Sequence, residues 1–134
     1  MLRPRRNRRH VLVVEDDASL SASIRELLES MEYVVSTVSN SAEAMVEIRA
    51  QRPDAILTDI YMPEGDGYEL ISMIRSFGDN IPIVAMSGGP IQCEINDYLG
   101  MAKRLGAVAA IEKPFRAAEL IETIDRAIGG RLAA

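Results

Sequence analysis

Apolar residues in this chain fall into two alternating patterns, short runs and helical spacings. The runs are rich in β-branched side chains, which is typical of buried strands. They occupy residues 11–14, 33–38, 55–57, 82–86 and 108–111. Between the runs, apolar residues recur every three or four positions, which predicts one buried face on each helix. These residues are Leu20, Ile24, Leu27, Leu28 and Met31, then Leu70, Ile71, Ile74 and Phe77, then Ile95, Leu99 and Ala102, and last Leu120, Ile121, Ile124 and Ile128.

Polar residues and glycines mark where the helices begin and end. Asp16 or Asp17 can cap the first helix, because a carboxylate accepts hydrogen bonds from the free N–H groups of the first turn. Asn40 with Glu43 resembles a capping arrangement for a second helix, which runs to about Gln51. Turn residues end the third, fourth and fifth helices at 78–80, 106 and 129–130.

Strand and helix therefore alternate along the chain, which predicts an α/β fold. Such alternation favours a parallel sheet with right-handed crossovers and helices on both faces. The 134 residues contain no internal repeat or linker, so we expect one domain at residues 10–130. Residues 1–9 and 131–134 are interpreted as short tails.

The net charge of −5 conceals an asymmetry. Residues 1–10 hold five arginines and no acid, so the remainder carries ten basic and twenty acidic side chains. An acidic body does not attract the phosphates of nucleic acid, and no direct DNA binding is expected. We interpret the basic start as a mobile, solvated tail. A contact with nucleic acid or an acidic partner, and a start codon placed too far upstream, are the alternatives.

Composition also bears on location. Cys93 is the only cysteine, which excludes an internal disulfide and fits a reducing cytoplasm. No apolar run reaches the roughly 18 residues of a membrane span. The basic start lacks the long apolar run of a secretory signal. We therefore expect a soluble, cytoplasmic protein without a membrane partner.

Chemistry-bearing residues follow four of the five predicted strands. Because the carboxyl ends of parallel strands meet at one edge, we expect Glu15 with Asp16, Asp59, Ser87 and Lys113 to lie together there. Carboxylates held so closely repel one another unless a cation neutralises them, and Mg²⁺ is the hard divalent ion that fits. Asp59 would be a nucleophile that accepts a phosphoryl group, while the lysine and the hydroxyl hold its oxygens. Each residue alone has an ordinary structural explanation, as a helix cap, turn residue or surface lysine.

Around these residues, and over about residues 10–130 as a whole, the chain resembles the receiver domain of two-component response regulators. The matching motifs are VLVVEDD at 11–17, LTDIYMP at 57–63, DG at 66–67, MSG at 86–88 and KPF at 113–115. The resemblance implies a flavodoxin-like (βα)5 doubly wound sheet with strand order 2-1-3-4-5. It also implies that Asp59 takes phosphate from a sensor histidine kinase or a histidine phosphotransfer protein.

The same resemblance assigns roles to individual residues. Mg²⁺ (or Mn²⁺) would be bound by Asp59, by Asp16 directly, by Glu15 through water and by the backbone carbonyl of Tyr61. Ser87 and Lys113 would hold the phosphoryl group and couple it to the fourth helix, fifth strand and fifth helix.

Two features depart from the family pattern. Receivers usually carry Tyr or Phe three residues before the lysine, and here that residue is Ala110. The usual aromatic signal of phosphorylation is therefore absent or replaced. The loop after Ser87 is also longer than usual, at residues 88–94, and is either a partner contact or a plain mobile loop.

We accordingly expect a single-domain response regulator that is not a conventional enzyme and that signals by protein contacts or onward phosphotransfer. The alternative is a degenerate receiver that acts as a phosphorylation-independent adaptor. A hydrolase of the haloacid dehalogenase type is disfavoured, because Tyr61 stands where those enzymes place a second aspartate. A nucleic-acid protein acting through the arginine tail is a third alternative. Family members often dimerise through their last helices, so a homodimer is left open, and the downstream target is not indicated.

Overall fold

The computed structural model describes residues 8–60, 67–88, 100 and 102–130. Its strands form one five-stranded sheet in the order β2-β1-β3-β4-β5, with each neighbouring pair parallel. The strands are β1 (His10–Val14), β2 (Val34–Val38), β3 (Ala55–Asp59), β4 (Ile83–Ser87) and β5 (Ala109–Glu112). The predicted fold class and strand order are therefore confirmed.

Helices connect the strands as the apolar spacing predicted. They are α1 (Ala18–Ser30), α2 (Ser41–Ala50), α3 (Gly67–Ser76), α4, of which residues 100 and 102–105 are described, and α5 (Ala117–Gly129). Gly106 follows α4, as expected, whereas Ile95 and Leu99 lie outside the described residues. Tyr61, the loop residues 89–94 and the terminal residues 1–7 and 131–134 also lie outside them.

Side-chain caps fix the starts of α1 and α2. Asp17 is the N-cap of α1, and its carboxylate accepts a hydrogen bond from the Leu20 N–H at 3.1 Å. Asn40 accepts one from the Glu43 N–H at 2.8 Å, and the Glu43 carboxylate accepts one from the Ser39 N–H at 2.9 Å. The predicted capping of the second helix is confirmed.

The core consists of two apolar clusters on opposite faces of the sheet. Leu12 and Val14 of β1 pack with residues of α2, α3 and α4, whereas Val11 and Val13 pack with residues of α1 and α5. Successive side chains of a strand point to opposite faces, so one continuous apolar run serves both clusters.

Two residues that were assigned to buried helix faces are exposed. Met31 is 50% exposed and Phe77 is 64% exposed. The reason is that α1 ends at Ser30 and α3 ends at Ser76, so the helical spacing stops before it reaches them. Among the described helices, none has the length and apolar character needed to cross a bilayer.

Candidate functional site

The backbone at the carboxyl edge of the sheet places the predicted site residues. Asp59 and Ser87 are the last residues of β3 and β4. Glu15 follows β1, and its N–H donates to the Val38 carbonyl at 3.0 Å. Lys113 follows β5, and its N–H donates to the Ser87 carbonyl at 2.7 Å. Each residue is thus held by strand-like hydrogen bonds.

Three carboxylates meet at this edge. One oxygen each from Glu15, Asp16 and Asp59 lies within 4.8 Å of the others. Glu15 is 3% exposed and Asp59 is 4% exposed, whereas Asp16 faces solvent. The cluster therefore has a buried floor and an open side from which an ion can enter.

Lys113 reaches into the cluster from the neighbouring strand end. Its Nζ lies 2.6 Å from Glu15 Oε1 and 3.2 Å from Asp59 Oδ2. The backbone N–H of Asp17 also donates to Glu15, at 3.1 Å. Glu15 is thus oriented by two donors, of which the Asp17 N–H was not foreseen because backbone donors leave no sequence signal.

The charges in the cluster shift two pKa values. Burial raises the pKa of the Glu15 carboxyl, and the nearby Asp59 raises it further against the opposing hydrogen bonds from Lys113 and Asp17. For Lys113, burial lowers the pKa, but its hydrogen bonds and charge interactions with Glu15 and Asp59 outweigh burial and raise it. The raised pKa of Lys113 thus reflects its two carboxylate partners, whereas that of Glu15 reflects mainly its burial.

Two further residues complete the site. Ser87 is buried, and its Oγ has no hydrogen-bond partner among the described residues. A buried hydroxyl without a partner is uncommon and is available to a ligand oxygen.

Gly88 borders the Lys113 stem so closely that an added Cβ would lie 2.8 Å from Lys113 Cβ. The absence of a side chain at Gly88 therefore makes room for the lysine stem.

The donor set fits a hard divalent cation. All three ligand atoms are carboxylate oxygens, which Mg²⁺ prefers, and the open side leaves space for water or phosphate ligands. The structure thus brings Glu15, Asp16, Asp59 and Lys113 together as expected, while Tyr61 lies outside the described residues.

A family model described as the response regulator receiver domain matches residues 11–125. The chain belongs to this family. Receiver domains are signalling domains of two-component systems, they interact with histidine kinases, and they generally bind Mg²⁺ at an acidic pocket, which matches the carboxylate cluster here.

Individual relatives support this assignment. Response regulator MprA of Mycobacterium ulcerans is 34% identical over 111 residues, which are 83% of this chain and 46% of MprA. The nitrogen assimilation regulatory protein NtrX of Azorhizobium caulinodans is 33% identical over 121 residues, which are 88% of this chain and 26% of NtrX. This receiver therefore spans half or less of the length of these curated relatives.

A solved structure shows the same fold. The receiver domain of NtrX from Brucella abortus superimposes with a TM-score of 0.81 at 28% identity, covering 89% of this chain and 98% of that one. The agreement over nearly the whole solved chain confirms the flavodoxin-like architecture.

Proposed function

We propose that Asp59 is the phosphoacceptor of this receiver and that it takes its phosphoryl group from a phosphohistidine. The donor would be a sensor histidine kinase or a histidine phosphotransfer protein. The observation that carries the proposal is the meeting of Glu15, Asp16 and Asp59 within 4.8 Å, with Lys113 between the two buried carboxylates. Residues 10–130 would form the receiver unit, and the cytoplasm is its proposed location.

The transfer makes one bond and breaks one bond. An Asp59 carboxylate oxygen forms a bond to phosphorus while the bond between phosphorus and the imidazole nitrogen breaks, and the electron pair stays on that nitrogen. Catalysis of such a transfer depends mainly on positioning and on compensation of charge around the phosphoryl oxygens. Asp59 suits the role because it ends β3 at the carboxyl edge of the sheet, within 4.8 Å of the other two carboxylates.

Glu15, Asp16 and Asp59 would hold Mg²⁺ (or Mn²⁺), with the Tyr61 carbonyl as a further ligand inferred from the family. The bound ion would supply positive charge that offsets the carboxylates and the incoming phosphoryl oxygens. Asp16, at the open side, is the residue best placed to admit the ion, while Glu15 stays oriented by Lys113 and the Asp17 N–H.

Lys113 and Ser87 would report that Asp59 has been phosphorylated. The ammonium group, now 2.6 Å from Glu15, would turn towards a phosphoryl oxygen. The Ser87 hydroxyl, which has no partner among the described residues, would donate to another. These movements displace the ends of β4 and β5 and thereby bias the surface formed by α4, β5 and α5. The changed surface would signal through protein contacts or onward phosphotransfer, without direct DNA binding by this acidic body.

Intact-mass analysis after incubation with Mg²⁺ and acetyl phosphate tests the proposal. Wild type should gain one phosphoryl group and Asp59→Asn should not. Asp17→Asn is the matched control, because asparagine caps a helix about as well as aspartate does and the residue lies two positions from Glu15. Uptake by Asp59→Asn, or no uptake by folded wild type with Mg²⁺ bound, would contradict the assignment.

Ala110 favours a second candidate function, a phosphorylation-independent adaptor. Ala110 is partly buried against the core and offers no aromatic ring that could turn inwards. An adaptor would bind its target equally well as wild type and as Asp59→Asn. A phosphate-dependent change in that affinity would exclude the adaptor.

A further inference from the structure

A groove opens between the second halves of α2 and α3, on the face of the sheet away from α1 and α5. Its volume is about 250 Å³, and its floor is formed by the apolar side chains of Met45, Ile48 and Ile74. Met45 and Ile74 belong to the core, so the groove reaches down to the packed interior. An apolar side chain that entered it would be removed from water on several sides.

The apolar surface continues beyond the groove. Phe77, on its rim, is 64% exposed, and the guanidinium of Arg49 lies 5.8 Å from the centroid of its ring. Val46 is 69% exposed and precedes Arg49 by three residues, so the two share one side of α2. Exposed apolar side chains beside a groove, with polar side chains around them, are typical of an interaction surface.

The arginines at the groove determine which charge a bound ligand should carry. Arg52 is neutralised by Asp79, with hydrogen bonds of 2.7 Å and 3.2 Å between them. Arg49 forms no ion pair within the part of the chain that the structure describes. Among the described residues, the groove thus carries one positive charge without an ion-pair partner, on a body that is acidic overall. An apolar side chain with a neighbouring carboxylate is the complementary ligand.

The groove is remote from the phosphoacceptor edge. Arg52 lies before β3, whose far end carries Asp59, and Asp79 lies before β4, whose far end carries Ser87. The groove residues therefore belong to the amino edge of the sheet, and the side chains of the carboxylate cluster take no part in lining it. A partner held there would not need Asp59 to be phosphorylated.

We propose that the groove between α2 and α3 docks an acidic amphipathic helix of a partner protein. One apolar side chain of that helix fills the groove against Met45 and Ile74, and a carboxylate one turn away pairs with Arg49. Docking of a helix into a groove by an apolar face is a common mode of recognition. The exposed Val46 and Phe77 extend the contact on either side, over more surface than a small molecule would use.

Fluorescence anisotropy with a defined probe tests this docking. The probe is an alanine-based helical peptide with a leucine stripe flanked by glutamates, and its counterpart carries lysines instead. The full chain should bind the glutamate peptide and not the lysine peptide. Arg49→Glu and Phe77→Ala should each weaken binding about tenfold. Arg25→Glu, which reverses an exposed arginine on α1, is the matched control and should bind as wild type does, as should Asp59→Asn.

The other outcomes overturn the proposal. Absence of binding, equal binding of both peptides, or unchanged binding by Arg49→Glu would show that the groove does not select acidic helices. If sedimentation shows that wild type self-associates and Phe77→Ala is monomeric, the occupant is a second copy of this chain. Because Asp59→Asn retains the groove, failure of the docking and failure of the proposed phosphoacceptor are separate results.

Discussion

Lys113 is the cation that compensates two buried carboxylates, Glu15 and Asp59, while Asp16 adds a third negative charge at the solvent side. The raised pKa of Glu15 reflects burial first and the charge of Asp59 next. Repulsion among the carboxylates lowers the stability of the folded protein. The same closely spaced charges can attract a divalent cation. Function and stability are therefore opposed at this cluster.

Neutralising Asp59, the proposed phosphoacceptor, should reveal that opposition. Asp59→Asn removes one buried negative charge, so without divalent cation its melting temperature should exceed that of wild type, by roughly 4 °C for each 1 kcal/mol gained. Millimolar Mg²⁺ should raise the melting temperature of wild type and have little effect on the variant, because binding to the native state alone stabilises it.

Differential scanning fluorimetry with and without Mg²⁺ checks this expectation. Asp17→Asn serves as the control and should respond to Mg²⁺ as wild type does. Equal Mg²⁺ shifts in wild type and Asp59→Asn would place the ion elsewhere.

Gly88 is a second residue on which the geometry depends. A Cβ there would lie 2.8 Å from Lys113 Cβ and 2.9 Å from Lys113 Cδ, so Gly88→Val must displace the lysine stem. We expect the initial rate of phosphoryl uptake to fall, because Lys113 would be moved from Glu15 and Asp59, while the far-ultraviolet circular dichroism stays unchanged. Gly100→Ala is the control, since its added Cβ would come no closer than 3.7 Å to the Arg104 guanidinium. A normal rate for Gly88→Val would show that the stem can take another path.

Helices and loops are joined by arginine and tyrosine side chains outside the site. Arg75 of α3 donates to the carbonyl of Gly106 after α4, at 2.7 and 3.3 Å, and to the carbonyl of Asp79 at 2.8 Å. Gly106 has a φ of +128° and an added Cβ would lie 2.7 Å from Arg75 Nε, so glycine is required there both for the turn and for the contact. One side chain thus holds the described end of α4 against α3.

Removing the Arg75 guanidinium should loosen that junction. Arg75→Met keeps an apolar stem but leaves the two carbonyls without their donor, which should cost about 1–3 kcal/mol in the free energy of unfolding. Urea denaturation measures the loss. Arg104→Met, on an exposed arginine of α4, should change stability by less than about 0.5 kcal/mol. Equal losses in the free energy of unfolding for the two substitutions would show that Arg75 does not stabilise the junction between α3 and α4.

Tyr33 joins the turn after α1 to α5 by donating a hydrogen bond to the Asp125 carboxylate. Burial, and then this hydrogen bond, raise the pKa of Tyr33 above its ordinary value of 10.0. The unfolded chain therefore loses this proton first as pH rises past 10, and the folded state loses stability relative to it.

Alkaline denaturation tests the sign of this linkage. The free energy of unfolding should fall more steeply between about pH 9.5 and pH 11 for wild type than for Tyr33→Phe, which cannot ionise. Asp125→Asn should lie between them, because burial of Tyr33 remains. Parallel curves for wild type and Tyr33→Phe would contradict the raised pKa.

At the scale of the whole molecule, the parallel sheet separates two chemically different edges. The carboxyl edge holds the acidic cluster, and the amino edge holds the start of β1, where the Arg9 carbonyl accepts a hydrogen bond from the Val34 N–H at 2.8 Å. The basic start of the chain thus enters the fold at the edge opposite Asp59. The length of the strands, four or five residues each, separates the amino edge from the carboxyl edge.

Deleting residues 2–8 tests whether the arginine-rich start contributes to phosphoryl uptake. We expect an unchanged initial rate with acetyl phosphate and an unchanged melting temperature, because Arg9 and its hydrogen bond to β2 are retained. A lower rate for the truncated chain would show that the start of the chain acts on the site. Nucleic-acid binding that survives the deletion would exclude the tail as its cause.

The elements and their order follow from the amino-acid sequence alone. Continuous β-branched runs such as residues 11–14 can be buried on both faces only in a sheet covered by helices, and Asn40 with Glu43 marked a helix start through local hydrogen bonds. Asp59 is likewise predicted as a site residue from a local signal, because it is a carboxylate at the end of an apolar run. These signals are local or periodic, so they can be read without knowing what the chain packs against.

Topology predicted which residues gather at the carboxyl edge, but the individual contacts between their atoms depend on the tertiary structure. The ion pairs of Lys113 with Glu15 and Asp59 join residues 98 and 54 positions apart, and no local pattern encodes such a contact. The prediction that Phe77 lies on a buried helix face was wrong, because helical spacing does not show that α3 ends one residue earlier. The groove beside it, and the contact between Gly88 and Lys113, arise where separate elements are brought together by the fold.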